Sequence, residues 1–518
     1  MLANLRNNLC SPVLLLGMML TVICYFLSTQ PDYLLILTVA QLVFVPAMLK
    51  MVVSLNKVGD AILVIMMLAV SVLHWWPDGG IAITLAFVYV LYTAFVALLG
   101  VKRFLHRGFT NIAEIAIDVG LIYIFVGGLW FFASIANIDT GFTPIITWLT
   151  GIHFHYSAFL LAVSSGLFGR VHQSKWYTAS VVILLVGPML VAIGITFSTI
   201  IEVVSVVLYI FAIYSLFILS IKTKLPRMQG LLLRISYGAV CVTILWSLLY
   251  AFGNFIGTSI VGIPDMLKFH GFFNCVLFGG FGVMAWAIAV PKSTQQPYTF
   301  PVSKIRGKLA ETRVEHSGLV DELSDYLDTV KLPQVISHFY ENTNEYSLSA
   351  SVQWHTWFKP FAFIYQGLSR WMQQLNLPLS RKLIEMVGNI VKVDEQLDGR
   401  KAPRAWIRKI GQQTTFVAIY SQHTTAQTTY MNIALPLPFS TMIGILYLYE
   451  EDGKLHLTSA HEGDTGTYLA TRHFVFKLPL HEHFTLTVKS ETSLSAIHKM
   501  RIFGLPFLRI DYNIKRVV

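Results

Sequence analysis

The residues most able to do chemistry are two histidines and a tyrosine inside an apolar run of membrane length. His153, His155 and Tyr156 lie within residues 145–168. Ionisable groups in membrane-spanning helices are costly and usually face the bundle interior or a water-filled cavity. Helix positions i and i+2 point about 200° apart, so the two imidazoles are not expected to share a small metal site, whereas His153 and Tyr156 share a face. We therefore expect either a ligand-binding site here or histidines that only hold helices together.

Two other apolar segments carry polar residues that belong at a similar depth. His270 and Asn274 are spaced i,i+4 on one helix face, and Glu202 opens a segment that starts on the same side. With the orientation derived below, these three residues and the two histidines above lie in the outer half of the membrane. A polar ligand-binding pocket built from them is predicted. The alternative for Glu202 is an interfacial acid at a helix N-terminus.

Charged residues near the inner side predict an ion pair. Glu114 and Asp118 are spaced i,i+4 at the start of one apolar segment, and Arg234 lies in the inner half of another. An unpaired charge within the membrane is costly, so Arg234 is predicted to pair with one of the two acids. We interpret this pair as a structural clamp.

Composition separates the chain into a membrane part and a soluble part. The 518 residues are 55% hydrophobic and 13% charged, against roughly 25% charged in soluble domains. The deficit of charge is confined to residues 1–290, which predicts an α-helical membrane domain, a linker over 291–332 and a soluble domain over 333–518. The four cysteines have no paired spacing, so no disulfide framework is predicted.

About ten segments reach the roughly 20 residues that a membrane-spanning helix needs. Their approximate bounds are 12–29, 33–55, 60–76, 80–100, 113–135, 145–168, 177–197, 199–221, 230–253 and 266–290. Lysine and arginine concentrate in alternate connections, and the other connections carry mainly aspartate. The positive-inside rule then predicts a bacterial inner-membrane protein with both termini and the soluble domain in the cytoplasm.

The linker and the soluble domain have their own patterns. Residues 303–331 carry an imperfect apolar stripe and a basic start at Lys304, Arg306 and Lys308, which predicts an amphipathic helix on a headgroup surface or a linker helix packed on its own domain. Residues 333–341 and 358–376 are predicted to be helical.

From about residue 388, short β-branched and aromatic runs predict antiparallel strands, with hairpins at YEEDGKLHL and RIFGLPFLRI. A barrel of about eight strands would hold one small ligand or be filled by side chains. The aromatic, acid-poor strands favour an apolar ligand. His481, His483 and His498 lie on neighbouring strands and are either surface residues or metal ligands.

Several of these motifs resemble the YndJ-like bacterial membrane proteins. The resemblance is carried by His153, Phe154, His155, Tyr156 and Phe159, by His270, Gly271, Asn274 and Phe278, by Glu202, and by the run from Leu435 together with HKMRIFGLPFLRIDYNIK. Phe273 and Cys275 depart from the smaller apolar residues expected beside Asn274. The resemblance implies a multi-span bacterial membrane protein and implies no specific activity.

Three function classes follow from these patterns. The first is transport or envelope-lipid handling, with membrane lipids and a lipid-like or small-molecule ligand as partners and no cofactor. The second is a membrane redox protein in which His153 or His155, with His270, ligates haem or a metal. The third is a non-catalytic sensor or scaffold. The net charge of +10 suits an anionic membrane surface, and the sequence has no nucleic-acid, P-loop, nucleophile-elbow or zincin motif, which argues against a nucleic-acid partner and against an enzyme.

Overall fold

The structure is a computed structural model. It describes the chain apart from residues 1–4, 6–7, 29–30, 296, 308, 310–313, 373–376, 380, 411–412 and 518. The chain divides into two compact units. The first comprises Met1–Phe104 and Asn111–Gln295, and the second comprises Leu105–Thr110 and Gln296–Val518.

The first unit is helical, as its apolar composition requires. Its helices in the described residues are α1 Pro12–Leu27, α2 Asp32–Val52, α3 Lys57–Val72, α4 Gly79–Leu105, α5 Ile112–Ile135, α6 Pro144–Gly169, α7 Lys175–Phe197, α8 Thr199–Lys222, α9 Arg227–Ile256 and α10 Ile263–Ile288. Each coincides with one predicted segment. Eight are long and apolar enough to cross a membrane, whereas α1 and α3 have 16 residues each, short of the roughly 20 that a full span needs. The prediction of a multi-pass helical domain is confirmed.

Three of these helices contain π-helical turns, in which the backbone widens to accommodate an extra residue per turn. The π-helical segments are Ala40–Phe44 in α2, Phe154–Leu160 in α6, and Met266–Gly271 and Asn274–Gly280 in α10. The segments of α2, α6 and α10 pack against one another. A Cβ atom on Gly279 would lie 2.6 Å from the Phe44 ring, so only glycine allows this approach. π-Helical turns inside α-helices are frequent at functional sites.

The second unit is an antiparallel β-barrel. Its strands are β1 Tyr346–Trp354, β2 Ile384–Lys392, β3 Arg404–Ile410, β4 Gln413–Thr425, β5 Thr428–Leu437, β6 Ser440–Glu451, β7 Lys454–Thr458, β8 Gly466–Ala470, β9 Val475–Lys477, β10 Leu480–Ser490, β11 Ser493–Ile502 and β12 Leu505–Arg516. The order β5-β4-β3-β2-β1-β12-β11-β10-β7-β6 closes through the pairing of β5 with β6, and β8 and β9 branch from β6.

The closed ring therefore has ten strands, and the predicted number of about eight is too low. Strands β1, β2 and β3 were not among the predicted runs. In β1 the serine-rich sequence YSLSASVQW hid a regular alternation of inward residues, Leu348, Ala350, Val352 and Trp354. The helices α11 Gln334–Glu341, α12 Lys359–Met372 and the short α13 Glu395–Asp398 complete the unit in the described residues. The first two were predicted.

The predicted helix over residues 303–331 is wrong for the described residues, which form extended chain and the short 3-10 turn Leu323–Asp325. The backbone in this region bonds to the barrel instead of to itself. His316 N donates to the Ile390 carbonyl, and Lys392 N donates to the Val314 carbonyl. Lys308, part of the predicted basic start, lies outside the described residues.

The second unit also takes in the loop between α4 and α5. Gly108 forms a β-bridge with Lys477 in β9, and Phe109 N donates to the Lys477 carbonyl at 2.9 Å. Gly108 has φ +73°, and a Cβ atom there would lie 2.3 Å from the Lys477 carbonyl oxygen, so the bridge requires glycine. Residues more than 360 positions apart thus belong to one compact unit.

Both predicted hairpins are confirmed, and each turns on two residues with positive φ. Asp452 and Gly453 connect β6 to β7, and Phe503 and Gly504 connect β11 to β12. Two-residue turns of this kind match the twist of the strands, and Asn-Gly is their favoured sequence.

The β4–β5 hairpin offers a test of this turn geometry, because its exposed turn residues Ala426 and Gln427 have φ +49° and +69°. The double variant Ala426→Asn/Gln427→Gly should raise the free energy of unfolding by about 1 kcal/mol, since both residues then tolerate left-handed backbone. Thermal unfolding of the full chain in detergent, followed by circular dichroism, measures the change. Ala426→Val should lower the melting temperature, and a lower melting temperature in the double variant would contradict the turn assignment.

Candidate functional site

The predicted membrane pocket divides into separate places, and His155 occupies one of them. Its Nδ1–H donates to the Gly151 carbonyl at 2.7 Å, so Nε2 accepts a hydrogen bond from the Tyr89 hydroxyl on α4. The imidazole is fully buried and stacks on the Tyr89 ring. Both nitrogens are thus engaged, and His155 links α6 to α4.

His153 points away from His155, as the i,i+2 spacing predicts, and meets His270 of α10. The two rings lie 6.4 Å apart between centroids. His153 Nδ1–H donates to the Leu149 carbonyl at 2.7 Å, and His270 Nδ1–H donates to the Thr243 carbonyl at 2.9 Å. Each ring therefore keeps its Nε2 lone pair for another partner.

Asn274 and Tyr156 extend this second place. Asn274 Oδ1 accepts from the Thr243 hydroxyl at 2.8 Å, so one residue of α9 contacts both predicted residues of α10. The Tyr156 hydroxyl donates to the Ile36 carbonyl at 2.7 Å, and its ring meets the edge of Phe44. Tyr156 and Asn274 thus lie at the junction of the π-helical segments, and beside it the exposed His153 meets the half-buried His270.

Glu202 lies elsewhere. Its carboxylate is buried and accepts from Asn254 Nδ2 at 3.1 Å. Asn254 follows Thr243 by eleven residues on α9, which corresponds to about 16 Å along the helix. Hydropathy predicted the same depth for Glu202 and the histidines. Along α9, however, the partner of Glu202 lies about 16 Å from Thr243, which binds His270.

The buried acids are paired, although not with the predicted arginine. Glu114 binds Arg170 at 2.7 Å and Arg103 at 2.9 Å, and Asp118 binds Arg103 at 2.8 Å. Both acids are fully buried. Arg103 was overlooked because hydropathy ended its segment at residue 100, whereas α4 continues to Leu105.

The predicted pairing of Arg234 with these acids is wrong. Its guanidinium donates to the carbonyls of Ser220 and Ile221 at 3.3 and 3.4 Å, where it caps the end of α8. Cations are favoured at that helix end by the backbone dipole.

A cavity beside the N-terminal half of α2 was not predicted. It has a volume of about 350 Å³ and is lined in part by Thr38, Gln41 and His74. The His74 ring is buried and bonds Ser28 and Thr38 hydroxyls through its two nitrogens, each at 2.9 Å. Gln41 Nε2 is buried without a hydrogen-bond partner among the described residues. His74 lies near the end of the predicted segment 60–76, and its position there gave no signal of a cavity.

The barrel encloses an apolar cavity with a volume of about 410 Å³. Inward residues of nearly all ring strands line it, which follows from the alternation of side chains along each strand. Its walls are mainly leucine, isoleucine, methionine and aromatic side chains, among them Trp354, Trp406, Met431, Phe484 and Ile510. Helices α11 and α12 contribute Phe339 and Tyr365.

Few polar side chains reach this cavity, and one of them is a cation. Arg408 on β3 is 8% exposed, and its Nε has no hydrogen-bond partner among the described residues. Its guanidinium carbon lies 4.4 Å from the Trp406 ring centroid and 3.9 Å from that of Phe416. Gly388 on β2 pairs with Arg408 in the register and leaves room for the Trp406 indole.

Two tyrosines lie close enough to Arg408 to be influenced by its charge. Burial raises the pKa of Tyr420 to about 12, although the Arg408 cation acts to lower it. Burial also raises the pKa of Tyr512, again opposed by Arg408. Both phenols therefore keep their protons at neutral pH and are available as hydrogen-bond donors.

The histidines of β10 and β11 do not form the metal site that was considered. His498 pairs in register with Phe484 and faces the cavity, where its Nε2 contacts Glu482 at 3.1 Å. His483 pairs with Lys499 on the opposite face and contacts His456 at 3.2 Å. Among the described residues no group of three or more metal-ligating side chains occurs.

The buried ion network gives a direct test of the two arginine assignments. Arg170→Gln should destabilise the protein by about 3–5 kcal/mol, because it leaves the buried Glu114 short of a cation. Arg234→Gln should change stability by less than about 1 kcal/mol, since it removes only long bonds at a helix end. Melting temperatures in detergent measure both, and equal losses would contradict the network.

Comparison with known proteins relates the chain to one family. The model of the family described as YndJ-like protein matches residues 35–278. The Bacillus subtilis (strain 168) protein named "Uncharacterized membrane protein YndJ" is 37% identical over 472 residues, which cover 85% of this chain and 84% of the relative. Because the first unit ends at residue 295, that match includes much of the barrel. No solved structure matches the chain significantly.

Proposed function

The chain belongs to the YndJ-like family of membrane proteins, and from that premise we propose that it handles lipid-like molecules, which bind inside its barrel domain. The observation that carries this proposal is the apolar cavity enclosed by the ten-stranded ring. Its volume of about 410 Å³ falls in the range of ligand pockets, which is roughly 300–1,000 Å³.

An apolar cavity of this size that side chains leave unfilled is costly to the protein that contains it. Interiors are normally packed to the density of organic crystals, and cavities destabilise in proportion to their volume. A barrel that served only as a structural module would fill its lumen with side chains. An apolar ligand supplies the missing contacts, and barrels with few polar groups in the lumen suit such ligands.

The helical domain supplies the second part of the proposal. Its membrane-spanning helices tether the barrel beside a lipid bilayer, which is a source of amphipathic molecules. The distribution of lysine and arginine supports a cytoplasmic barrel, cytoplasmic termini and the inner membrane of a bacterium.

Lipid handling is better supported than transport across the membrane. The polar residues predicted to form one substrate pocket lie in separate places, with His155 against Tyr89 of α4, Glu202 beside Asn254, and His153 beside His270. A ligand sensor would use the same barrel cavity, so it differs from the present proposal only in what binding triggers.

Filling the cavity tests the proposal. A photoreactive palmitate added to the full chain in phosphatidylcholine nanodiscs should cross-link to barrel peptides. Ala496→Trp places a large ring among the lining residues and should weaken cross-linking about tenfold, because overfilling a packed site costs about 1–3 kcal/mol.

The matched control is Ser495→Trp, one position along the same strand on its other face. It should leave cross-linking unchanged. Peptide mapping by mass spectrometry gives the site in each case. Cross-links confined to membrane helices, or equal cross-linking in both variants, would contradict lipid binding in the barrel.

A second candidate function, ligation of haem or a metal ion, is supported by His153 and His270. Their Nδ1 atoms are held by backbone carbonyls, which is how ligating imidazoles are commonly oriented, and their Nε2 atoms remain available. Haem would supply electron transfer within the membrane domain.

Absorption spectra and metal analysis of the purified protein test this candidate. A Soret band or bound metal should disappear in His153→Ala and in His270→Ala but persist in His155→Gln, since both nitrogens of His155 are already engaged. A colourless, metal-free protein would contradict ligation and leave lipid binding unaffected.

A further inference from the structure

We infer that the ligand of the barrel is a single-chain anionic amphiphile whose acidic head binds Arg408. The inference rests on the proposed lipid binding and specifies the chemical class of the ligand. It stands on the position of one buried cation relative to the groups around it.

The Arg408 guanidinium is held in place before any ligand arrives. It lies between the rings of Trp406 and Phe416, an arrangement in which cation–π attraction fixes the plane of the group. The side chain is more than nine-tenths buried and lines the cavity. Its N–H donors are therefore presented toward a mainly apolar space.

A buried arginine of this kind would be stabilised by a bound anion. Taking a cation out of water costs several kcal/mol unless it is paired and hydrogen-bonded. Among the described residues Arg408 forms a side-chain hydrogen bond with Tyr512 and no ion pair, and its Nε has no hydrogen-bond partner. The planar guanidinium fork matches carboxylate and phosphate oxygens, with which it forms strong charge-assisted hydrogen bonds.

The acid that shares the cavity is already engaged. Glu482 is the only acid among the described lining residues. It contacts the His498 ring through one oxygen at 3.1 Å and accepts from the Thr467 hydroxyl through the other at 3.3 Å. The donors near Arg408 are instead the phenols of Tyr420 and Tyr512, which can complete the shell around an oxyanion.

The size of the cavity favours a ligand with one chain. Its volume of about 410 Å³ lies at the lower end of the range of ligand pockets, which is roughly 300–1,000 Å³. The two chains of a phospholipid would need far more space. Fatty acids and single-chain phosphate monoesters share the required chemistry of an acidic head on one apolar tail.

The test compares ligands that differ only in the head. Hexadecanoate, hexadecyl phosphate and hexadecanol compete with the photoreactive palmitate for the full chain in phosphatidylcholine nanodiscs. The wild-type protein should bind at least one of the two acids about tenfold more tightly than the alcohol, as expected for a charge-assisted hydrogen bond. The better of the two acids identifies the head as carboxylate or phosphate.

Arg408→Gln should abolish the preference for the acid while hexadecanol still binds as in the wild type, which also shows that the variant is folded. Arg408→Lys keeps the charge and should retain part of the preference. Arg509→Gln, an exposed arginine on β12 that pairs with Asp511, serves as the control and should behave as the wild type.

The outcomes separate the two proposals. If the wild-type protein binds acids and alcohol equally, or if Arg408→Gln keeps the preference, the role of Arg408 is wrong while lipid binding stands. If none of the three competitors displaces the probe and no barrel peptide is labelled, lipid binding itself is wrong.

Discussion

The pairing of β5 with β6 is the interaction on which the second unit depends. Without it, the sheet would have two open edges with unpaired backbone groups, and its apolar face would be exposed to water. With it, the ring closes and encloses a volume that ten strands make wider than the lumen of a small eight-stranded barrel. The side chains of the ring do not fill that volume. The cavity, and with it the proposed function, is therefore a consequence of strand number and closure.

The helical unit depends on a comparable constraint, the neutralisation of buried charge. Glu114 joins arginines from α4 and α6, so three helices meet at one carboxylate. Near the π-helical junction, hydrogen-bonding groups are satisfied in a similar way, because His153, His155 and His270 each donate to a backbone carbonyl. These contacts fix helix positions, and they leave the Nε2 atoms of His153 and His270 available for other chemistry.

Sequence patterns predicted the features that follow from one element at a time. Hydropathy located the ten helices, alternation and turn residues located the two hairpins, and the i,i+2 spacing correctly separated His153 from His155. The failures involve relations between elements. Hydropathy put Glu202 at the depth of the histidines, whereas its partner Asn254 lies about 16 Å from Thr243 along α9. Hydropathy also ended α4 before Arg103, the partner of Asp118. The inward direction of Arg408 was not predicted, because a single arginine in a strand pattern indicates an outward side chain. Its inward direction follows from the register of β2, β3 and β4.

The bridge between Gly108 and Lys477 has a consequence for biogenesis. The barrel is assembled from pieces that leave the ribosome far apart in time, since 369 residues separate the two partners. At about 5–20 residues per second, translation needs roughly 20–70 s to cover that distance. The α4–α5 loop is thus made early, and the strand it bridges is made near the end. The second unit is therefore complete only near the end of translation, and a fragment that starts at residue 296 would lack one piece of its own domain.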